Sequence, residues 1–122
     1  MSRVLVSEVI AATAALSGLP LAVVRGEGRG DRRVWDWRAK AMHVAYHLTG
    51  QSLAAIGRVF GRDHASVLHN VERINALRLL DAGVREDLMR IAIAASVPAD
   101  ARVRQGATGL APPAPDGREA AS

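Results

Sequence analysis

Two short apolar patterns with helical spacing lie within residues 52–74, and only three residues, 61–63, separate the two helices that they predict. Gly61 suits the left-handed conformation that ends a helix, and Asp63 carries the side chain of a helix N-cap. A link this short requires the two helices to pack against each other, as in a helix-turn-helix. The apolar positions are Leu53, Ile56 and Phe60 in the first pattern and Val67, Val71 and Ile74 in the second.

The flanking sequence repeats the helical spacing over most of the chain. Further helices are predicted after Ser7, over 34–49 and over 84–96, with the central pair over 53–60 and 64–80, and a short apolar turn or helix is predicted over 21–24. We expect Leu16 and Leu68 to face the core with the other apolar residues of their helices. The sequence thus predicts an all-α fold, a bundle of five to six helices over residues 1–96 that contains the helix-turn-helix. Residues 97–122 are rich in proline, alanine and glycine, which bury little apolar surface, so a disordered C-terminal tail is predicted there.

The composition narrows the class of protein further. The formal net charge is +4, and Lys40 is the only lysine, so arginine supplies nearly all of the positive charge. The planar guanidinium group suits phosphate and guanine recognition. The chain has no cysteine, which excludes disulfides and thiolate chemistry and fits a reducing compartment. No segment is long and apolar enough to span a bilayer, so we expect a cytoplasmic protein without a membrane partner.

The outer face of the second central helix carries small or hydrogen-bonding side chains, as entry into the DNA major groove requires. His64 and Ser66 have groups that donate or accept hydrogen bonds at base edges, and Ala65 fits against a thymine methyl. His69 lies on the same outer face. Helix-turn-helix spacing by itself is common in purely structural helix pairs, so the specific residues of the motif have to support the functional interpretation.

Those residues resemble a known family. IGRVFGRDHASVLH, residues 56–69, and WRAKAMHVAYHLTGQSLAAIG, residues 37–57, resemble the C-terminal helix-turn-helix domain of the bacterial replication initiator DnaA. The similarity covers about residues 5–95. It implies sequence-specific binding of double-stranded DNA at DnaA-box-like sites, and regulation of replication initiation or associated transcription. It assigns major-groove positions to Arg62, Asp63, His64, Ala65 and Ser66, and a DNA contact to Arg38 at the start of the long helix.

The glycine-rich basic stretch 25–33, RGEGRGDRR, precedes the long helix. Its glycines oppose regular structure, which leaves a solvated flexible loop or an arm that contacts a phosphate backbone or a minor groove. In the resemblance, Arg29 or Arg32 takes the place of the loop arginine that enters the minor groove, and the sequence does not choose between them. Arg33 adds a third basic side chain to the predicted DNA-binding set.

Two of the base-reading positions implied by the resemblance depart from the family pattern, since Ala39 and Ala65 replace side chains able to hydrogen-bond. No Walker A motif is present, because Lys40 lies between two alanines rather than after a glycine. We therefore expect a non-enzymatic DNA reader that stands without the ATPase of the initiator. An alternative is a protein-interaction regulator that engages an Hda-type AAA+ ATPase, or DnaA itself, and so stimulates initiation.

Other candidate sites are weak. His43 and His47 lie four residues apart, at a spacing that places both rings on one helix face, but no third ligand is evident. Solvated or packed histidines are the better interpretation. We expect no metal, no cofactor and no small-molecule substrate.

Overall fold

The computed structural model describes residues 4–97, and this part of the chain contains six helices and no strand. They are α1 (Val6–Ser17), α2 (Leu21–Val24), α3 (Arg32–Thr49), α4 (Leu53–Phe60), α5 (His64–Leu80) and α6 (Ala82–Ser96). The predicted all-α bundle with a central helix-turn-helix is confirmed. The predicted disordered tail, apart from its first residue, lies outside the described residues, and the boundary near residue 96 stays a prediction.

Side-chain caps explain where α3 and α4 begin. The Ser52 hydroxyl accepts a hydrogen bond of 3.0 Å from the amide of Ala55, and the Asp31 carboxylate accepts one of 3.1 Å from the amide of Val34. Each bond satisfies an amide in the first turn that has no partner within its own helix. Because Asp31 is the cap, α3 begins at Arg32, two residues earlier than predicted.

The two terminal helices also begin earlier than the sequence suggested. Helix α1 begins at Val6, not after Ser7, because the Glu8 carboxylate accepts a hydrogen bond of 2.8 Å from the amide of Leu5. Helix α6 begins at Ala82, since Asp81 ends α5 and also caps the helix that follows. The predicted helix bounds left residues 81–83 between α5 and α6, whereas in the structure Asp81 alone separates the two helices.

Helix α3 lies at the centre of the bundle, in contact with α1, α5 and α6. Two predicted core residues are instead on the surface, because Leu16 is 41% exposed and Leu68 is 40% exposed. Each lies one position, about 100° of helix, from the buried stripe of its helix.

None of the helices in residues 4–97 is long and apolar enough to cross a membrane. The largest fully buried apolar side chains are Val9, Ile10, Val24, Ile56, Phe60, Val67, Ile74 and Ile91.

Candidate nucleic-acid interface

The turn between α4 and α5 is held by its own backbone. The amide of Arg62 donates a hydrogen bond of 2.8 Å to the carbonyl of Gly57, and Gly61 adopts a left-handed conformation with φ of 69°. A β-carbon at Gly57 would collide with the carbonyl oxygen of Arg62. Helix α4 and the turn therefore approach each other closely, which fixes the direction in which α5 sets out.

The first turn of α5 is capped and faces solvent. The Asp63 carboxylate accepts a hydrogen bond of 2.8 Å from the amide of Ser66. That bond, followed by the Ser66 side chain and the nearby His64, holds the pKa of Asp63 below its usual value. His64 and Ala65 are exposed and Ser66 is half-buried, so this turn presents the predicted base-reading side chains on a fixed backbone.

Further along α5 lie the predicted His69 and two residues outside the predicted DNA-binding set, Asn70 and Arg73. His69 is exposed. The side-chain amide of Asn70 donates a hydrogen bond of 3.0 Å to the carbonyl of Ser66, so it supports the first turn. The guanidinium of Arg73 lies 3.6 Å from the carboxylate of Asp36 on α3, which joins the two helices across the surface.

Arg38 holds the basic loop from inside the protein. It is only 4% exposed, and its Nε donates a hydrogen bond of 2.7 Å to the carbonyl of Val23. Its Nη2 donates to the carbonyls of Glu27 at 2.9 Å and Gly28 at 3.3 Å. Burial, and then the neighbouring Arg62, lower the pKa of this guanidinium. Two of the three guanidinium nitrogens of Arg38 therefore donate to the backbone of the segment before α3, and the expected contact of Arg38 with DNA stays a prediction.

The other predicted arginines differ in availability. Arg29 and Arg32 are exposed, and neither side chain has a hydrogen-bond or ion-pair partner within residues 4–97. The Nη2 of Arg33 instead donates to the carbonyl of Ser17 at the end of α1, so Arg33 points away from the loop. Arg62 is exposed, and its Nη1 donates to the carbonyl of Gly61 at 3.1 Å, which leaves the guanidinium beside the turn.

The basic loop packs against the helix-turn-helix. Gly26 has a φ of 117°, and a β-carbon there would collide with the carbonyl oxygen of Phe60 at the end of α4. With Arg38 bonded to the loop from the other side, the loop has a defined path over residues 26–28. Residues 26–28 of the loop are therefore held next to the turn of the helix-turn-helix.

A cleft of about 600 Å³ opens between α3 and α5. Trp35 lines it and is 59% exposed, whereas Trp37 packs against the core with the Lys40 ammonium 4.4 Å from its ring centre. The helical spacing of Arg32, Trp35 and Asp36 places these three residues on one face of α3. The cleft is lined by Arg32, Trp35, Asp36, Arg38, Met42, Arg62, Ser66, His69, Asn70 and Arg73.

The comparisons with known proteins agree with this geometry. The family model described as the bacterial dnaA protein helix-turn-helix matches residues 6–74, more than half of the chain. This chain belongs to that family. The turn, the basic loop and all ten residues predicted to bind DNA lie within the matched region. Helix α6 lies outside it, although it packs against α1 and α3.

Individual relatives are chromosomal replication initiator proteins named DnaA. The protein of Caulobacter vibrioides is 44% identical over 87 residues, which cover 70% of this chain and 18% of that protein. The protein of Caulobacter sp. (strain K31) is 40% identical over 90 residues, covering 73% and 18%. That of Ruegeria pomeroyi is 48% identical over 52 residues, covering 42% and 11%. The chain therefore matches less than a fifth of the length of these DnaA proteins.

The histidine pair lies away from the helix-turn-helix surface. His43 is buried, with its Nε2 3.5 Å from the side-chain oxygen of Asn75, and its ring centre lies 4.5 Å from that of His47. Within residues 4–97, no three histidine, cysteine, aspartate or glutamate side chains are grouped as a metal site. The ring of His43 is part of the packing between α3 and α5, whereas His47 is exposed.

Proposed function

We propose that this DnaA-type domain binds double-stranded DNA sequence-specifically at DnaA-box-like sites, and thereby regulates replication initiation or associated transcription. The observation that carries the proposal is the capped, solvent-facing start of α5 beside a basic loop of fixed path. A recognition helix reads DNA with its first turn, and this turn is rigid and accessible. The role is one of binding rather than catalysis.

The proposed base contacts come from three successive residues. His64 and Ser66 offer hydrogen-bonding groups to base edges in the major groove, and Ala65 packs against a thymine methyl. Asp63 does not touch DNA in this scheme, because its carboxylate is the N-cap and its charge would repel phosphate. The exposed His69, one turn further along, extends the contact towards the neighbouring backbone.

The proposed backbone contacts come from three exposed arginines. Arg29 and Arg32 reach the phosphates or the adjacent minor groove, and Arg62 reaches a phosphate beside the turn. Arg38 contributes indirectly, because its hydrogen bonds hold the loop that carries Arg29. Arg33 is bonded to the end of α1 and is left out of the contact set.

The proposal is tested by titrating the protein against a labelled duplex with one DnaA box and against a scrambled duplex of the same composition, at two salt concentrations. We expect tighter binding to the box and a linear fall of log affinity with log salt, since arginine–phosphate contacts release counterions. Equal binding to the two duplexes at low salt would contradict sequence-specific reading. Absence of binding to both would contradict DNA binding altogether.

The alternative is engagement of an Hda-type AAA+ ATPase or of DnaA itself. Its motives are the likeness to a domain that such a partner contacts, the lack of a Walker A motif, and two alanines in place of polar side chains. Ala39 is fully buried, so of the two alanines only Ala65 changes the exposed surface. An Arg62→Ala, His64→Ala double variant distinguishes DNA binding from engagement of a protein partner. Stimulation of initiation that survives in a folded double variant without DNA binding would favour the protein partner.

A further inference from the structure

Trp35 is the most exposed of the phenylalanine, tryptophan and tyrosine side chains within residues 4–97, and its position on the surface needs an explanation. It lies in the first turns of α3 and is 59% exposed, while Trp37 two residues later packs on the core. An indole of this size stabilises a protein by burial, so an exposed one contributes little to folding. The ring lies in a concave cleft and not on a convex surface. Binding sites are usually concave, so this position suits a contact with another molecule.

The chemistry of the cleft indicates an anionic occupant. Arg32 and Arg62 line it with their guanidinium groups unpaired by any carboxylate in the described part of the chain. Arg73 also lines it, paired at 3.6 Å with Asp36, the one acidic side chain among the cleft residues. Both partners of that pair are more than a third exposed, so the pair is weak and an incoming anion can replace it.

We infer that Trp35 packs against the deoxyribose-phosphate backbone of one DNA strand, with its indole N–H donating to a phosphate oxygen. The inference rests on the proposed duplex binding and adds a contact to it. The wall of the cleft opposite Trp35 is formed by Ser66 and His69 of α5, whose first turn faces the major groove in the proposed complex. Arg32 lies on the side of the basic loop. The strand that separates a major groove from the next minor groove therefore crosses the cleft.

The bonding capacity of indole fits this assignment. Indole N–H is a donor without an acceptor, and a phosphate oxygen is an acceptor without a donor. The flat ring also covers the apolar face of a sugar. Because indole carries no charge, the contact strengthens binding without releasing a counterion, and because sugar and phosphate are the same at every step, it carries no sequence information.

The experiment compares wild type, Trp35→Ala and Trp35→Phe on the box duplex, the scrambled duplex and a single strand, over a range of salt. We expect Trp35→Ala to weaken binding to both duplexes about tenfold, the scale of losing an aromatic contact with nucleic acid. The salt slope and the ratio of box to scrambled affinity stay unchanged. Trp35→Phe falls between, since it keeps a ring and loses the donor. Ile93→Ala is the matched control, because Ile93 is 60% exposed on α6 and outside the cleft.

Fluorescence gives a second measurement, since the chain has only two tryptophans. In a Trp37→Phe variant, checked for its fold by circular dichroism, emission comes from Trp35 alone and should be protected from acrylamide by either duplex. If wild type binds no duplex, the proposed function and this contact fail together. If wild type binds and Trp35→Ala binds equally well, only this contact is overturned. Loss confined to the box, or to the single strand, would overturn the backbone assignment in favour of base contact.

Discussion

The backbone of Gly26 lies against the carbonyl oxygen of Phe60, so the basic loop packs directly on the end of α4. Phe60 is itself buried in the core, which makes this end of α4 a rigid support. The position of the loop arginines relative to α5 therefore depends on a close backbone contact that only glycine permits.

Replacing Gly26 with alanine should displace the loop, because the new β-carbon would meet the Phe60 carbonyl and because φ of 117° is strained for any L side chain. We expect weaker binding to box and scrambled duplexes and a smaller salt slope. Gly28→Ala is the control, since Gly28 also has a positive φ, of 71°, but no atom lies within 4 Å of a β-carbon there. Equal effects of the two changes would show that backbone strain, and not loop packing, is responsible.

Arg38→Met should loosen the loop without removing a phosphate contact. The carbonyls of Val23, Glu27 and Gly28 lose their donor, which should lower the free energy of unfolding by about 1–3 kcal/mol. Amide hydrogen exchange over residues 25–31 should rise more than exchange in α5. Arg58→Met on the exposed side of α4 serves as the control. Unchanged exchange in the loop together with lost DNA binding would instead support a direct contact of Arg38.

Asp36→Asn should tighten binding to every duplex, because it removes the one carboxylate that lines the cleft and frees Arg73 for phosphate. We expect the salt slope to steepen by roughly one unit, the value for one added phosphate contact. Glu86→Gln on α6 makes the same change in net charge while breaking the Glu86–Arg90 pair, outside the cleft. An equal gain from Glu86→Gln would mean that net charge alone sets the affinity.

Residues that contact bases and residues that contact the DNA backbone should have different effects on binding when they are replaced. His64→Ala or Ser66→Ala should reduce discrimination between box and scrambled duplexes by roughly 1–3 kcal/mol, the range for a lost base contact. Arg29→Ala or Arg32→Ala should weaken binding to both duplexes and flatten the salt slope. Binding titrations at several salt concentrations measure both quantities. The reverse pattern would contradict the assignment of α5 to the major groove.

Acidification should destabilise the fold through His43. Burial, with smaller effects of His47 and Arg78, lowers the pKa of this ring below 6.5, although the hydrogen bond with Asn75 opposes the shift. On acidification, the imidazole of His43 therefore binds its proton at a higher pH in the unfolded chain than in the folded protein. The contribution of His43 to the free energy of unfolding is fully present above the pKa of this ring in the unfolded chain, and it falls as the pH drops below that pKa. Urea denaturation of wild type and His43→Gln should show a flatter pH dependence in the variant. His69→Gln, which alters an exposed ring, should retain the wild-type dependence.

Local rules accounted for the fold because each helix is defined by neighbouring residues. The bounds of α4 and α5 follow from Ser52, Gly61 and Asp63, whose caps act within three residues of sequence. The starts of α1, α3 and α6 were misplaced because more than one nearby residue can cap, and the chain uses Leu5 with Glu8, Asp31 and Asp81.

The sequence by itself determined the helix-turn-helix, the polar outer face of α5 and the basic character of the loop, since caps and helical period are short-range properties. Only the tertiary structure decided which contacts each arginine makes within the protein. Arg38 bonds to carbonyls ten to fifteen residues away, and Arg33 bonds to the end of α1. The long flexible side chain of arginine reaches partners that no local pattern specifies. The same packing left Trp35 in the cleft and placed Trp37 on the core, because the direction of α3 against α5 selects which face of the helix is covered.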